Sequence, residues 1–310
     1  RHLNMFPTVG EMVYAPGITV VTSTTGNTAY LSKCVRSVQK QQTTFPVHHL
    51  VFVDGPEAAP GVQEVLSHVR GQVHAPSLQV TSLKKVCEEE QKPGGLASVQ
   101  QPDSTPTHSS GSIKCEHFTS VVTVDVVCLP HNLGAGGWNG HRAYGASLHL
   151  VRTKWLCFLD EDNFLDPNHL QTCYELLQSS GGASERFQMV YALRKIVNRE
   201  GSFVCQDNCE SLGALHPIWH LAVEGTDNNS LSYEHHLIDL NCFVVERFSM
   251  LQGNFSSLFA VRAGCRPPNR EIDRALTQAM HSTLKCACTM QYSVNYIAGE
   301  SIDPVVGCVM

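Results

Sequence analysis

The run Trp155-Leu156-Cys157-Phe158-Leu159 ends in Asp160-Glu161-Asp162. In extended geometry Asp160 and Asp162 leave the chain on one side and Glu161 on the other. Two carboxylates held side by side repel unless a cation or a proton lies between them. A hard divalent ion with oxygen ligands meets that need. Mg²⁺ commonly takes one or two protein carboxylates together with substrate phosphates. An acidic turn after a strand is also ordinary surface sequence, so the pattern gains weight only from its company.

Two other apolar runs end in polar groups. Residues 18–22 are β-branched and lead into Ser23-Thr24-Thr25-Gly26-Asn27, and residues 49–53 lead into Asp54-Gly55-Pro56. Ligands of open α/β sheets bind beyond the carboxyl ends of the strands, so these three ends are candidates for one cleft. A glycine-rich loop from Pro130 to Gly140 adds close backbone approach, and Arg142 stands in the first turn of the helix that follows. A helix N-terminus favours anions, and an arginine adds a fork of donors for phosphate. Gly134-Ala135-Gly136 opens like a dinucleotide fingerprint, but Asn139 holds the last glycine position. The loop also lacks the lysine of a P-loop, so a nicotinamide enzyme and a P-loop hydrolase are both excluded.

The elements that must position these groups follow from periodicity. A strand over 18–22, a helix over 28–39, a strand over 49–53 and a helix over 61–69 give β-α-β-α and predict a parallel sheet. Residues 82–117 carry Glu88-Glu89-Glu90 and then a Ser/Thr/Pro/Gln stretch, and read as a mobile surface insertion within one domain. Strand sequence resumes over 120–129. A helix with Tyr144, Leu148 and Val151 on one face, a strand over 155–159 and an amphipathic helix over 168–178 follow. Residues 189–197 and 202–205 flank Asn198-Arg199-Glu200-Gly201 as a hairpin. A strand over 237–245 and a short helix over 273–280 close the readable part.

The formal net charge of −6 argues against nucleic acid as a partner. No apolar run reaches the length of a membrane span. The 13 cysteines follow no repeating frame. They read mostly as reduced thiols, which favours a reducing, cytoplasmic setting. The chain begins at Arg1, so a removed signal or anchor, and with it a Golgi or other secretory lumen, stays open. The 16 histidines read as solvated or core groups rather than metal ligands.

The chain is similar to family-2 glycosyltransferases of the GT-A fold. The likeness rests on residues 18–27, on Val51-Phe52-Val53-Asp54-Gly55, on Asn132 to Arg142 and on Phe158 to Asn163. It extends through residues 191–196, 209–213 and 239–242. It implies one GT-A-type domain over 1–310. Its fold would be α/β, with a Rossmann-like, mostly parallel central sheet flanked by helices and a small mixed sheet near the C-terminus. It further implies an inverting, metal-dependent transfer of a sugar from a nucleotide-sugar donor to a hydroxyl acceptor on a carbohydrate, lipid or protein. UDP is the commonest donor nucleotide of the family, with GDP and dTDP open.

Carried over residue by residue, Thr22, Ser23 and Thr24 line the base and ribose, and Asp54 bonds one of them. Asn132, Gly134, Gly137 and Arg142 belong to the donor site. Asp160 and Asp162 are the D-x-D pair that holds Mn²⁺ or Mg²⁺ on the diphosphate. Glu210, Arg194 and Asn241 position donor sugar or acceptor. The catalytic base falls on Asp273, with Glu271 and Asp239 as rivals, because Ile272 splits the family's Glu-Asp pair here. Two other readings compete. A nucleotidyltransferase wants a basic, glycine-rich loop after the first strand, and Thr24-Thr25-Gly26-Asn27 has one glycine and no base. An inactive sugar-nucleotide binding module survives on the split pair.

Overall fold

The computed structural model describes residues 14–70, 79–80, 122–135, 140–179, 186–207, 238–259, 272, 276–277, 279–280 and 282–297. The predicted insertion therefore lies outside the described residues, apart from its surroundings. So do Gly137, Glu210, Glu271 and Asp273.

The first half follows its periodicity closely. Strand β1 (Ala15–Thr24) is flanked in the sheet by β2 (Val47–Val53) and β5 (Thr153–Phe158), both parallel to it. β4 (Val122–Cys128) lies parallel on the far side of β2, and the two-residue β3 (Gln79–Val80) lies outside β4. Helices α1 (Thr28–Gln39) and α2 (Ala59–Arg70) cover this part. Asn27 caps α1, its side chain accepting from the Ala29 amide at 3.2 Å. Leu31 and Val35 then pack with Val62, Val65 and Leu66 of α2 and with Val51, Val53, Val124 and Val126 in one apolar cluster. Gly26 has a φ of +85°, and a Cβ there would stand 2.6 Å from the Ala58 carbonyl oxygen. Only glycine allows the β1–α1 turn to lie against the start of α2.

The second half was read less well. The sheet does not stop at β5, and the expected separate small sheet is absent among the described residues. β9 (Phe243–Glu246) runs antiparallel to β5 on one side and to β7 (Met189–Val197) on the other. The predicted strand over 237–245 thus shrinks, because a short 3₁₀ turn (Leu240–Cys242) occupies its first part. β10 (Cys286–Ile297), which the sequence reading missed, runs parallel to β7. The two-residue β6 (Phe164–Leu165) pairs with β10, and β8 (Phe203–Gln206) makes the predicted hairpin with β7. The result is one ten-stranded mixed sheet, in the order β3-β4-β2-β1-β5-β9-β7-β10-β6 with β8 beside β7.

Helices α3 (His141–Leu150), α4 (His169–Gln178) and α5 (Arg247–Gln252) complete the described elements that matter here. They close a larger core around Tyr144, Phe158, Leu170 and Phe243. The described positions of the predicted helix over 273–280 are helical, and Leu276 and Met280 are buried in the same core. Cys34, Cys157, Cys173 and Cys242 are buried free thiols, as expected. Cys205 departs from that expectation, since it is disulfide-bonded.

Candidate functional site

The carboxyl ends of β1, β2 and β5 open onto one cavity of about 510 Å³, lined by Ser23, Thr24, Thr25, Asp54 and Asp160 to Asn163. That is an ordinary size for a small-molecule site. The glycine loop adds Asn132, Gly134 and Ala135, and the start of α3 adds Gly140, His141 and Tyr144. Asp239, Leu240 and Tyr296 complete the lining. The three strand ends picked out by sequence thus face one cleft.

Each group is placed by a local cause. A Cβ on Gly140 would lie 2.9 Å from the Ser23 Cβ and 3.1 Å from the Tyr144 ring, so the bare backbone lets α3 begin against the end of β1. Asp54 does not hang free. Its carboxylate accepts from the Leu133 amide at 2.5 Å and from the Gly134 amide at 2.8 Å, which fixes the described part of the glycine loop. Arg142 does not line the cavity. Its Nη1 donates to the Leu133 carbonyl oxygen at 3.0 Å, bracing the same loop from behind. Thr22 is fully buried, with its hydroxyl 2.9 Å from His49 Nε2, so the expectation that it lines the base pocket fails. Depth in the sheet is the reason: Thr22 still pairs with Val51 inside the sheet, while Ser23 and Thr24 end β1 and line the cleft.

The acidic segment is not extended. The Asn163 amide donates to the Asp160 carbonyl oxygen at 3.0 Å, closing a tight turn. Side chains therefore no longer alternate, and the expectation that Glu161 faces away is corrected. Glu161 lines the cavity and accepts hydrogen bonds from the hydroxyls of Thr24 and Thr25. Asp160 is held on three atoms. Tyr144 donates its phenol to Oδ1 at 2.5 Å, Asn241 donates its amide to Oδ2 at 2.9 Å, and the Asp160 N–H donates to Asn241 Oδ1 at 2.6 Å. Burial raises the Asp160 carboxyl above its ordinary range, and Asp239 adds to the effect. Asp162 is raised as well, by desolvation first and by Asp160 second.

Asp239 caps the 3₁₀ turn, accepting from the Asn241 N–H at 2.8 Å, and it also accepts from the Asn241 side chain at 2.6 Å. Arg194 forms an ion pair with Asp239 and a second with Asp207 at 2.5 Å. Its guanidinium lies 4.3 Å from the centre of the Tyr296 ring. Burial alone would lower Arg194, but Asp239 and Asp207 outweigh it and keep the cation protonated.

Asp54, Asp160, Glu161, Asp162 and Asp239 all line the cavity, and no lysine or arginine does so among the described residues. The raised proton affinities of Asp160 and Asp162 come from burial first and from their acidic neighbours second. A divalent cation meets that demand. Among the described residues no three histidine, cysteine or acidic side chains converge as a ready cage. A divalent ion held by Asp160 and Asp162 would need phosphate and water oxygens to complete its shell.

Sequence reasoning missed Tyr144, Asn163 and Tyr296 as lining residues. Tyr144 was legible only as an apolar helix position, and Tyr296 belongs to a strand that was not recognised.

No family model and no curated protein matches the sequence. The chain is similar to the solved structure of S. aureus TarS 1-349, with a TM-score of 0.53 and 10% identity over 90% of this chain and 60% of that one. The same protein in complex with UDP gives 0.50 and 9% identity, over 91% and 60% of the two chains. In complex with UDP-GlcNAc it gives 0.50 and 11%, over 94% and 61%. This chain thus spans about 60% of the length of those structures. At these identities the likeness establishes the fold alone: an α/β architecture whose sheet keeps the expected parallel pairing for most of its strands and is mixed rather than purely parallel.

Proposed function

We propose that the protein is an inverting, metal-dependent glycosyltransferase that moves a sugar from a nucleoside diphosphate donor to a hydroxyl acceptor. The observation that carries this reading is the composition of the cleft. Acid side chains from two strand ends and one late turn face hydroxyls and backbone amides, with no lysine or arginine among the described lining residues. A diphosphate cannot enter such a site alone, because its own charge would meet five carboxylates. Together with a divalent cation it can, since the carboxylates then hold the ion that the diphosphate also binds. UDP is the donor nucleotide to test first, because the fold is one in which TarS binds UDP and UDP-GlcNAc.

In this reading the hydroxyls of Ser23 and Thr24 and the backbone around Asn132 and Gly134 receive the nucleoside. Asp54 keeps that backbone in place through the Leu133 and Gly134 amides. Asp160 and Asp162 hold Mn²⁺ or Mg²⁺. Such an ion, when bound, neutralises charge on the departing diphosphate as a Lewis acid. Inversion requires a carboxylate opposite the leaving group to take the proton of the acceptor hydroxyl. Asp239 is poorly suited, since its oxygens already accept from Arg194 and from Asn241. We assign the base to Asp273, with Glu271 as the rival.

The test is direct. The protein is incubated with Mn²⁺ and a panel of UDP-, GDP- and dTDP-sugars, and release of nucleoside diphosphate is followed beside calorimetric binding of UDP, GDP and dTDP. Metal-dependent binding of one nucleotide and slow release from its sugar conjugate are expected. Failure of every nucleotide to bind with metal present overturns the reading. Asp162→Asn should weaken nucleotide binding in Mn²⁺ by 10-fold or more, on the order of 1.4 kcal/mol, and unchanged affinity would remove Asp162 from the metal site.

A further inference from the structure

We propose that Asn241 is the positioning residue of the acidic turn: its one side-chain amide sets both the backbone and the carboxylate of Asp160 in register with Asp239. The proposal rests on the metal-dependent reading above and goes beyond it, because Asn241 does not line the cavity.

Asn241 is buried, with about 1% of its surface exposed, in the middle of the 3₁₀ turn Leu240–Cys242. Its Oδ1 accepts from the Asp160 N–H at 2.6 Å. Its Nδ2 donates to Asp160 Oδ2 at 2.9 Å and to Asp239 Oδ1 at 2.6 Å. An amide is suited to this task because it carries an acceptor and two donors in one plane. It grips one residue at its main chain and at its side chain together, which fixes the side-chain torsions of Asp160. It also places a neutral donor between two carboxylates that would otherwise repel. An aspartate at this position would set an acceptor against two acids. A leucine would leave the Asp160 N–H and carboxylate without these partners.

The 3₁₀ turn has capping bonds that do not involve this side chain. The turn is capped through the main chain of Asn241, whose N–H donates to Asp239 at 2.8 Å. Every side-chain bond of Asn241 instead goes to Asp160 or Asp239. Tyr144 holds the other Asp160 oxygen. The carboxylate of Asp162 has no such side-chain bracket among the described residues. The pair is therefore asymmetric, with Asp160 preset and Asp162 free to adjust. Partners that orient a ligand in this way set metal affinity, by about 10- to 100-fold when removed.

The experiment compares wild type, Asn241→Ala and the milder Asn241→Ser. Mn²⁺ is titrated by calorimetry with the metal alone and again in the presence of UDP, and melting is followed in EDTA. In both variants the Mn²⁺ concentration for half-maximal UDP binding should rise about 10- to 100-fold. UDP affinity at saturating Mn²⁺ should change far less. A variant that melts lower in EDTA yet keeps the wild-type Mn²⁺ midpoint shows a purely structural asparagine and overturns the proposal. Should the alanine variant fail to fold, the serine variant decides by the same midpoint. Wild type that binds UDP equally well with and without Mn²⁺ also overturns the positioning role, while nucleotide recognition stands. Wild type that binds neither UDP nor Mn²⁺ overturns the proposed function and this inference with it.

Discussion

On the wall of the cleft built from β1, β2 and the glycine loop, the one acid ends against backbone. Asp54 accepts from two amides, and its neighbours Ser23, Thr24 and Thr25 offer hydroxyls. On the facing wall, charge answers charge. Asp207, Arg194 and Asp239 form a chain of ion pairs, Asn241 couples it to Asp160, and Asp162 stands beside them. The first wall is made of fixed dipoles and suits recognition of a neutral nucleoside. The second holds surplus negative charge inside a partly dry cleft, which makes it responsive to cations and protons. The fold divides the labour between them: local turns make the first wall, whereas long-range pairing makes the second.

The largest effect should come from cutting the ionic chain. Arg194→Met leaves Asp207 and Asp239 without their buried cation and should cost about 3–5 kcal/mol, read as a lower urea midpoint. A loss below about 1 kcal/mol would show that the second wall does not depend on ionic pairing. Asp54→Asn tests the first wall. The two amide bonds lose their charged acceptor, for a cost of about 1–3 kcal/mol, and hydrogen exchange at Leu133 and Gly134 should quicken. Protection that stays as in wild type would mean that the loop is held by Arg142 alone.

Lowering the pH sharpens the contrast further. Burial holds His49 down to about 3 and His141 and His169 down to about 4. Their folded values lie below the unfolded value of 6.5, so below that pH the unfolded chain binds protons that the folded chain refuses. Stability is thus highest above about pH 6.5 and falls as the pH drops towards 4. Asp160 and Asp162 have the opposite sign. Their raised folded values make the folded chain the better proton binder, so they soften the acid loss. Urea midpoints across this range should fall more steeply in Asp162→Asn than in wild type, and parallel curves would deny that the fold raises the Asp162 carboxyl. The smallest effect is expected from Thr25→Val, which removes the 2.7 Å bond to Glu161. It should cost about 0.5–1.5 kcal/mol, and a shift of several kcal/mol in melting data would show that the exposed threonine supports more than this tie.

The first wall was largely legible in the sequence because its elements obey clean periods. Val20 and Val21, Leu31 and Val35, and Val51 and Val53 announce strand, helix and strand, with Gly26 and Asn27 marking the turn. Three polar strand ends then point to a cleft by topology alone. In the second wall the residues themselves pointed only to Asp160 and Asp162, while Asp239, Arg194 and Asn241 entered through the family resemblance. β10 reads Cys-Ala-Cys-Thr-Met-Gln-Tyr-Ser-Val-Asn-Tyr-Ile, and its pairing with β7 slips around Tyr292, with Met290 at a φ of +57°. Irregular pairing of this kind erases the two-residue alternation that marks a strand. Glu161 was misplaced for a related reason: a tight turn after β5 replaces the extended geometry on which same-side reasoning depends. Thr22 was misjudged because it lies one pair of residues below the strand end that opens onto the cleft.

β9 has only four residues, yet it alone joins β5 to β7 in the sheet order. During synthesis this gives the chain a waiting period. Once residues up to 207 have emerged, β8 can pair only with the last residues of β7, and β5 and the rest of β7 present unpaired edges, because their common neighbour lies at 243–246 and β10 lies at 286–297. Open strand edges invite pairing with other chains, and late long-range pairing lengthens their exposure. The nascent protein is therefore most exposed to aggregation in the interval before β9 arrives, and a ribosome stall between 207 and 243 is where a chaperone would matter most.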